Sequence, residues 1–117
     1  MADLNGIGAW GLKIALWAYT GTREWSDTYA GTTMSTIEFV NEDFPPTYIS
    51  GGNGDALTWI QSVPMLTKLK NAGVETSHLF WAADHEPALP HEYQFHLDLD
   101  EAHEALAATL QFLDTVD

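Results

Sequence analysis

The sequence predicts an α/β fold: a βαβα unit over residues 45–117, preceded by a helical and loop segment at 1–44, together a single partial domain. Three observations predict it. Two short apolar runs, Thr47–Ser50 and Ser77–Ala82, flank a stretch with helical periodicity. The turn Gly51-Gly52-Asn53-Gly54 closes the first run. A second helical pattern, rich in leucine, ends the chain after a loop that holds histidines. Strand, helix, strand in that order is a right-handed crossover joining two parallel strands.

In chain order, residues 9–20 (AWGLKIALWAYT) read as a helix, with Trp10, Ile14 and Trp17 on one stripe and Leu12, Leu16 and Tyr19 on another. A helix apolar nearly all round needs a partner surface. Gly21 supplies its stop. Short helical turns at Ser26–Ala30 and Ser35–Val40 are expected in the turn-rich segment that follows, which Pro45-Pro46 ends. Thr58 and Gln61 have the spacing of a capping box, opening a helix to Ala72 that Pro64 should kink. Ile60, Val63, Leu66 and Leu69 would face inward, and Asn71-Ala72-Gly73 ends the helix. The apolar run Ser77–Ala82 suits a parallel strand buried on both faces. Asp98 and Glu101 are spaced as N-cap and N3, and Leu99, Ala102, Leu106, Leu110 and Leu113 mark one face of the closing helix.

Composition narrows the function classes. At 117 residues the chain is short for an α/β enzyme, and its net charge of −13 repels nucleic acid phosphates and anionic lipid. No Lys or Arg follows Glu75. Five tryptophans each call for a large apolar site. Without cysteine there is no disulfide, thiolate catalyst or Cys-type zinc site. The opening MADLNGIGAW lacks the pattern of a signal peptide, and Ile7–Tyr19 is too short to span a bilayer, so a cytoplasmic protein is expected.

Open α/β sheets place their chemistry at the carboxyl ends of the strands. Asp55 follows the first strand and His91 the second, the order in which an acid and a histidine of a hydrolytic triad would arrive. His85 shares the second loop and is the rival to His91. On position alone Asp55 is an ordinary turn residue and His91 an ordinary loop histidine. His78 lies inside a strand, and His96 and His103 read as structural or exposed. A phosphate cradle at Gly51–Gly54 fails, because Leu57 stands where the dinucleotide pattern needs its third glycine and Asp55 repels the anion. His91-Glu92-Tyr93-Gln94-Phe95 falls short of a zinc motif, with Phe95 in the second ligand position. No cofactor or metal is expected.

The runs PPTYISGGNGDALTWIQS, LKNAGV, LFWAADHEPALPHEYQF and EALAATLQFL, with WAYTG at 17–21, resemble the carboxyl-terminal third of α/β-hydrolase-fold esterases of the bacterial hormone-sensitive-lipase-like and acetyl-esterase branch. The resemblance covers most of the chain and implies a C-terminal βαβα fragment of that fold. It assigns the catalytic acid of a GG-x-x-D-x-L turn to Asp55, beside Leu57, and the catalytic histidine to His91. The family's serine in G-x-S-x-G has no counterpart: Ser26, Ser35, Ser50, Ser62 and Ser77 lack the flanking glycines, and the oxyanion-hole glycine motif is missing. An imidazole held by a carboxylate then has no alcohol of this chain to activate.

Three function classes follow. The first is a carboxylic-ester hydrolase portion that supplies Asp and His and is inactive alone, acting on a small ester once complete. The second is a catalytically dead, self-associating module, since two parallel strands leave edges that pair with other chains. The third is a metal-binding protein. Expected partners are a second copy or the missing N-terminal part.

Overall fold

The structure, a computed structural model, describes residues 7–116; the reading of the first six residues as free of a targeting signal lies outside them. Two compact units divide the chain, Met1–Phe39 and Val40–Asp117. In the first, helix α1 (Ile7–Thr20) is followed by a 3-10 turn (Trp25–Asp27), the short helix α2 (Tyr29–Thr33) and a 3-10 turn at Thr36–Phe39. Gly21 ends α1 as expected: at φ +78° it takes the left-handed conformation, and its N–H donates to the Trp17 carbonyl at 2.8 Å. Thr28 caps α2 by accepting from the Gly31 N–H at 2.9 Å. Of the α1 side chains expected to need cover, Leu16 is buried, while Trp10, Ile14, Trp17 and Tyr19 are exposed. Arg23 lies over the Trp17 ring, 4.5 Å from its centroid.

The second unit holds β1 (Thr47–Gly51), α3 (Val63–Asn71), β2 (Thr76–Phe80) and α4 (Asp100–Leu113). The strands pair in parallel from Thr47 with Thr76 to Gly51 with Phe80. This mixed α/β arrangement is compatible with a small α/β fragment. Side chains alternate across the sheet. Ile49 packs with α3 in a cluster of Val40, Leu69 and Val74, backed by Phe44, Met65 and Ala72. On the α4 side, Tyr48 meets Phe112 at 5.9 Å, and Leu79 joins the cluster of Leu89, Tyr93 and Ala105. Leu69 is fully buried, worth about 1.5–3 kcal/mol of transfer energy. Gly73 at φ +80° closes α3, as expected from Asn71-Ala72-Gly73.

Four expectations change. Neither strand is buried on both faces: β1 is half-buried throughout, and His78 of β2 is exposed. The reason is that, among the described residues, β1 and β2 form a sheet of two strands, without the outer neighbours that would cover a central strand. Thr58 does not cap the helix; it is buried within a π-helical turn (Thr58–Ser62), and Asp55 takes the capping role by accepting from the Leu57 N–H at 2.9 Å. Pro64 cannot donate to an α-helical ladder, and the π turn ahead of it, with Val63 N–H bonded to the Thr58 carbonyl, accommodates it. Leu99, not Asp98, is the N-cap residue of α4, extended and without a side-chain cap, since leucine carries no acceptor; its side chain packs on the Leu89–Tyr93 cluster instead. Lastly, α4 packs through Ala102 and Ala105, small enough for close approach, leaving Leu106, Leu110 and Leu113 exposed.

Candidate functional site

The site begins with a turn too tight for side chains. A Cβ on Gly52 would sit 2.3 Å from the Leu89 carbonyl oxygen, and one on Gly54 2.9 Å from the same atom. The Gly-Gly-Asn-Gly segment after β1 therefore lies against the backbone of the loop after β2. Gly54 N–H donates to the Leu89 carbonyl at 2.8 Å. Asn53 crosses the same gap: its Oδ1 accepts from Leu89 N–H at 2.9 Å, and its Nδ2 donates to the His85 carbonyl at 2.9 Å.

This seam brings Asp55 and His91 together across 36 residues of sequence. His91 Nδ1 donates to Asp55 Oδ2 at 2.7 Å, while the other carboxylate oxygen holds the Leu57 N–H. A carboxylate only accepts, so the contact fixes the neutral ring with its proton on Nδ1 and its lone pair on Nε2. Asp55 is largely covered, with its side chain 14% exposed, whereas the His91 ring is 66% exposed. Among the described residues nothing hydrogen-bonds Nε2. A cleft of about 280 Å³ adjoins the pair, lined by Ser50, Thr58, Gln61, Ser62 and Tyr93 among others. No serine or threonine hydroxyl of the described residues bonds the His91 ring. The residue after His91, Glu92, has φ +59°, left-handed backbone that costs a non-glycine residue about 1–2 kcal/mol.

The hydrogen bond to Asp55, then its charge, raise the His91 pKa above the ordinary 6.5. The folded state thus binds this proton more tightly than the unfolded chain. The stability it contributes is complete below pH 6.5 and is lost as pH rises through the folded value. An unprotonated base at His91 accordingly needs a pH above that of a free imidazole.

His85 takes a different place. Its Nε2 meets Glu101 Oε1 at 2.8 Å, and its ring lies 4.7 Å from that of Trp81. Glu101 is held below its ordinary 4.5 by its own backbone N–H and then by the His85 bond, a contribution present above pH 4.5 and lost as pH falls through the folded value. Trp81 Nε1 donates to Tyr93 Oη at 3.0 Å with the rings edge to face. These contacts tie the loop to α4, so His85 pairs with Glu101 and does not reach Asp55. His96 and His103 are exposed, and His103 Nε2 donates to the Leu97 carbonyl at 2.9 Å.

Asn53, Trp81, Tyr93 and Glu101 were not legible as site-building residues. Trp81 carried one signal, an indole N–H that needs an acceptor when covered. Asn53 carried none, since asparagine in a glycine turn has a sufficient local explanation. Among the described residues no group of three or more His, Asp or Glu is arranged to hold a metal, and no helix is long and apolar enough to cross a membrane. Compared with protein-family models, curated proteins and solved structures, the chain matches none.

Proposed function

We propose that this chain is the carboxyl-terminal part of a carboxylic-ester hydrolase of the α/β-hydrolase type, contributing the acid and the base of its triad. The observation that carries the reading is the 2.7 Å bond from His91 Nδ1 to Asp55 Oδ2, on a ring that is itself largely exposed. Asp55 orients the imidazole and stabilises the imidazolium. His91 Nε2 takes the proton of a serine hydroxyl during acylation and returns it to the leaving alcohol. The serine comes from outside these residues, as no serine hydroxyl among the described residues hydrogen-bonds the ring.

The test extends the reading frame upstream of Met1 and assays short-chain p-nitrophenyl esters. The extended protein should carry G-x-S-x-G, hydrolyse the ester and react with a fluorophosphonate, and His91→Ala should lower kcat by about 10³-fold or more. The 117-residue chain alone should give no adduct. An upstream frame without that motif, or hydrolysis indifferent to His91→Ala, overturns the proposal.

A second reading, a self-associating module, is favoured by the leucine stripe of α4, where Leu106, Leu110 and Leu113 are 46–55% exposed at i, i+4 and i+7. Among the described residues β1 also pairs on one edge alone. Sedimentation velocity should then show a dimer or larger species that Leu110→Asp dissociates. A wild-type monomer with protected amides ends this reading.

A further inference from the structure

We infer that Asn53 is the positioning residue of the site, setting the distance between Asp55 and His91 by fastening the two loops that carry them. The inference rests on the proposed role of that pair. Neither loop belongs to the sheet at this point, so strand pairing does not hold them in register. Among the described residues, every hydrogen bond between the two loops involves Asn53, Gly54 or the Asp55–His91 contact itself.

The arrangement has a regular logic. Leu89 stands two residues before His91, as Asn53 stands two before Asp55. The Leu89 N–H is held by Asn53 Oδ1 and its carbonyl by the Gly54 N–H, so both backbone groups of one fully buried residue are tied to the acid-bearing turn. At the same time Asn53 Nδ2 reaches the carbonyls of His85, at 2.9 Å, and Ala83, at 3.4 Å, fixing the start of the same loop. One side chain must therefore accept on one side and donate on the other. Only an amide of this length does both: Asp lacks the donor, and Ser or Ala lacks the reach. The backbone carbonyl of Asn53 is held in turn by Trp59 Nε1 at 3.2 Å, which keeps the clamp from swinging with the turn.

A residue that merely stabilised the fold would leave the local environment of a folded His91 unchanged, and one that positions it would not. The test is an NMR titration of the histidine rings in the full chain, comparing wild type, Asp55→Asn, Asn53→Ala and Asn53→Gln. Asp55→Asn should bring the His91 midpoint down toward 6.5 and release its Nδ1–H tautomer. Asn53→Ala should reproduce most of that fall. Asn53→Gln keeps an amide but misplaces it by one methylene, so a folded protein with the same direction of shift is expected even where the alanine variant unfolds. A His91 midpoint unchanged in both Asn53 variants while Asp55→Asn lowers it overturns the inference. A midpoint indifferent to Asp55→Asn instead overturns the pairing of Asp55 with His91, and with it the functional reading.

Discussion

Gly52→Ala is expected to destabilise the second unit by about 2–4 kcal/mol, the scale of overpacking against atoms that cannot move aside. The added methyl would meet the Leu89 carbonyl oxygen at 2.3 Å and the Pro90 carbonyl oxygen at 2.8 Å. Both are backbone atoms, so no rotamer change relieves the clash. Relief requires the two loops to separate, which stretches Gly54 N–H from Leu89 and His91 from Asp55 together. Urea unfolding should show a lower midpoint, and the His91 titration should shift in the same protein. Gly11→Ala is the contrast: its Cβ meets nothing within 4 Å, and in a helix interior alanine is favoured by about 1 kcal/mol. A Gly52→Ala protein as stable as wild type would mean that the loops are not pressed together.

That close contact explains which parts of the molecule the sequence discloses. Elements announced by periodicity or by glycine stops appear: β1 over Thr47–Gly51, the ends of α1 and α3 at Gly21 and Gly73, and β2 from Thr76. The order of Asp55 and His91 is legible because each follows a strand, and parallel pairing brings both strand ends to one edge. Contacts through backbone and small residues are not legible. Hydrophobicity picks Leu99, Ala102, Leu106, Leu110 and Leu113 as the inner face of α4; Ala102 is buried and Leu99 packs on the Leu89–Tyr93 cluster, yet Ala105 takes the remaining inner place while the three later leucines stay exposed. Thr58 has the spacing of a cap, yet the bare Cα of Gly51 lies against it, where a Cβ would come within 2.4 Å of its hydroxyl. Capping passes to Asp55, the residue that also holds His91. Spacing gives no hint that one carboxylate does both, because the second duty depends on a loop 36 residues away.

The second large effect is expected at Tyr93. Its ring is 1% exposed, the largest fully buried side chain of the described residues, and it packs with Leu89 and Ala105 beneath the loop that presents His91. Tyr93→Ala should cost about 3–5 kcal/mol, the scale of removing a fully buried aromatic ring, since it empties the centre of the cluster formed with Leu89 and Ala105. Tyr93→Phe separates packing from polarity. It keeps the ring and its edge-to-face contact with Trp81 at 6.3 Å, and removes only the acceptor of Trp81 Nε1–H, for about 1 kcal/mol. The phenol also carries a pH signature: burial raises its pKa above 10, so the folded state resists ionisation. Stability from this group is complete below pH 10 and falls as pH rises beyond it, a loss the phenylalanine variant should not show. Thermal unfolding of the three proteins from neutral to strongly alkaline pH measures all of this at once. Equal midpoints for Tyr93→Ala and wild type would mean that the loop is held by its hydrogen bonds, and that the cluster under it contributes nothing to the placement of His91.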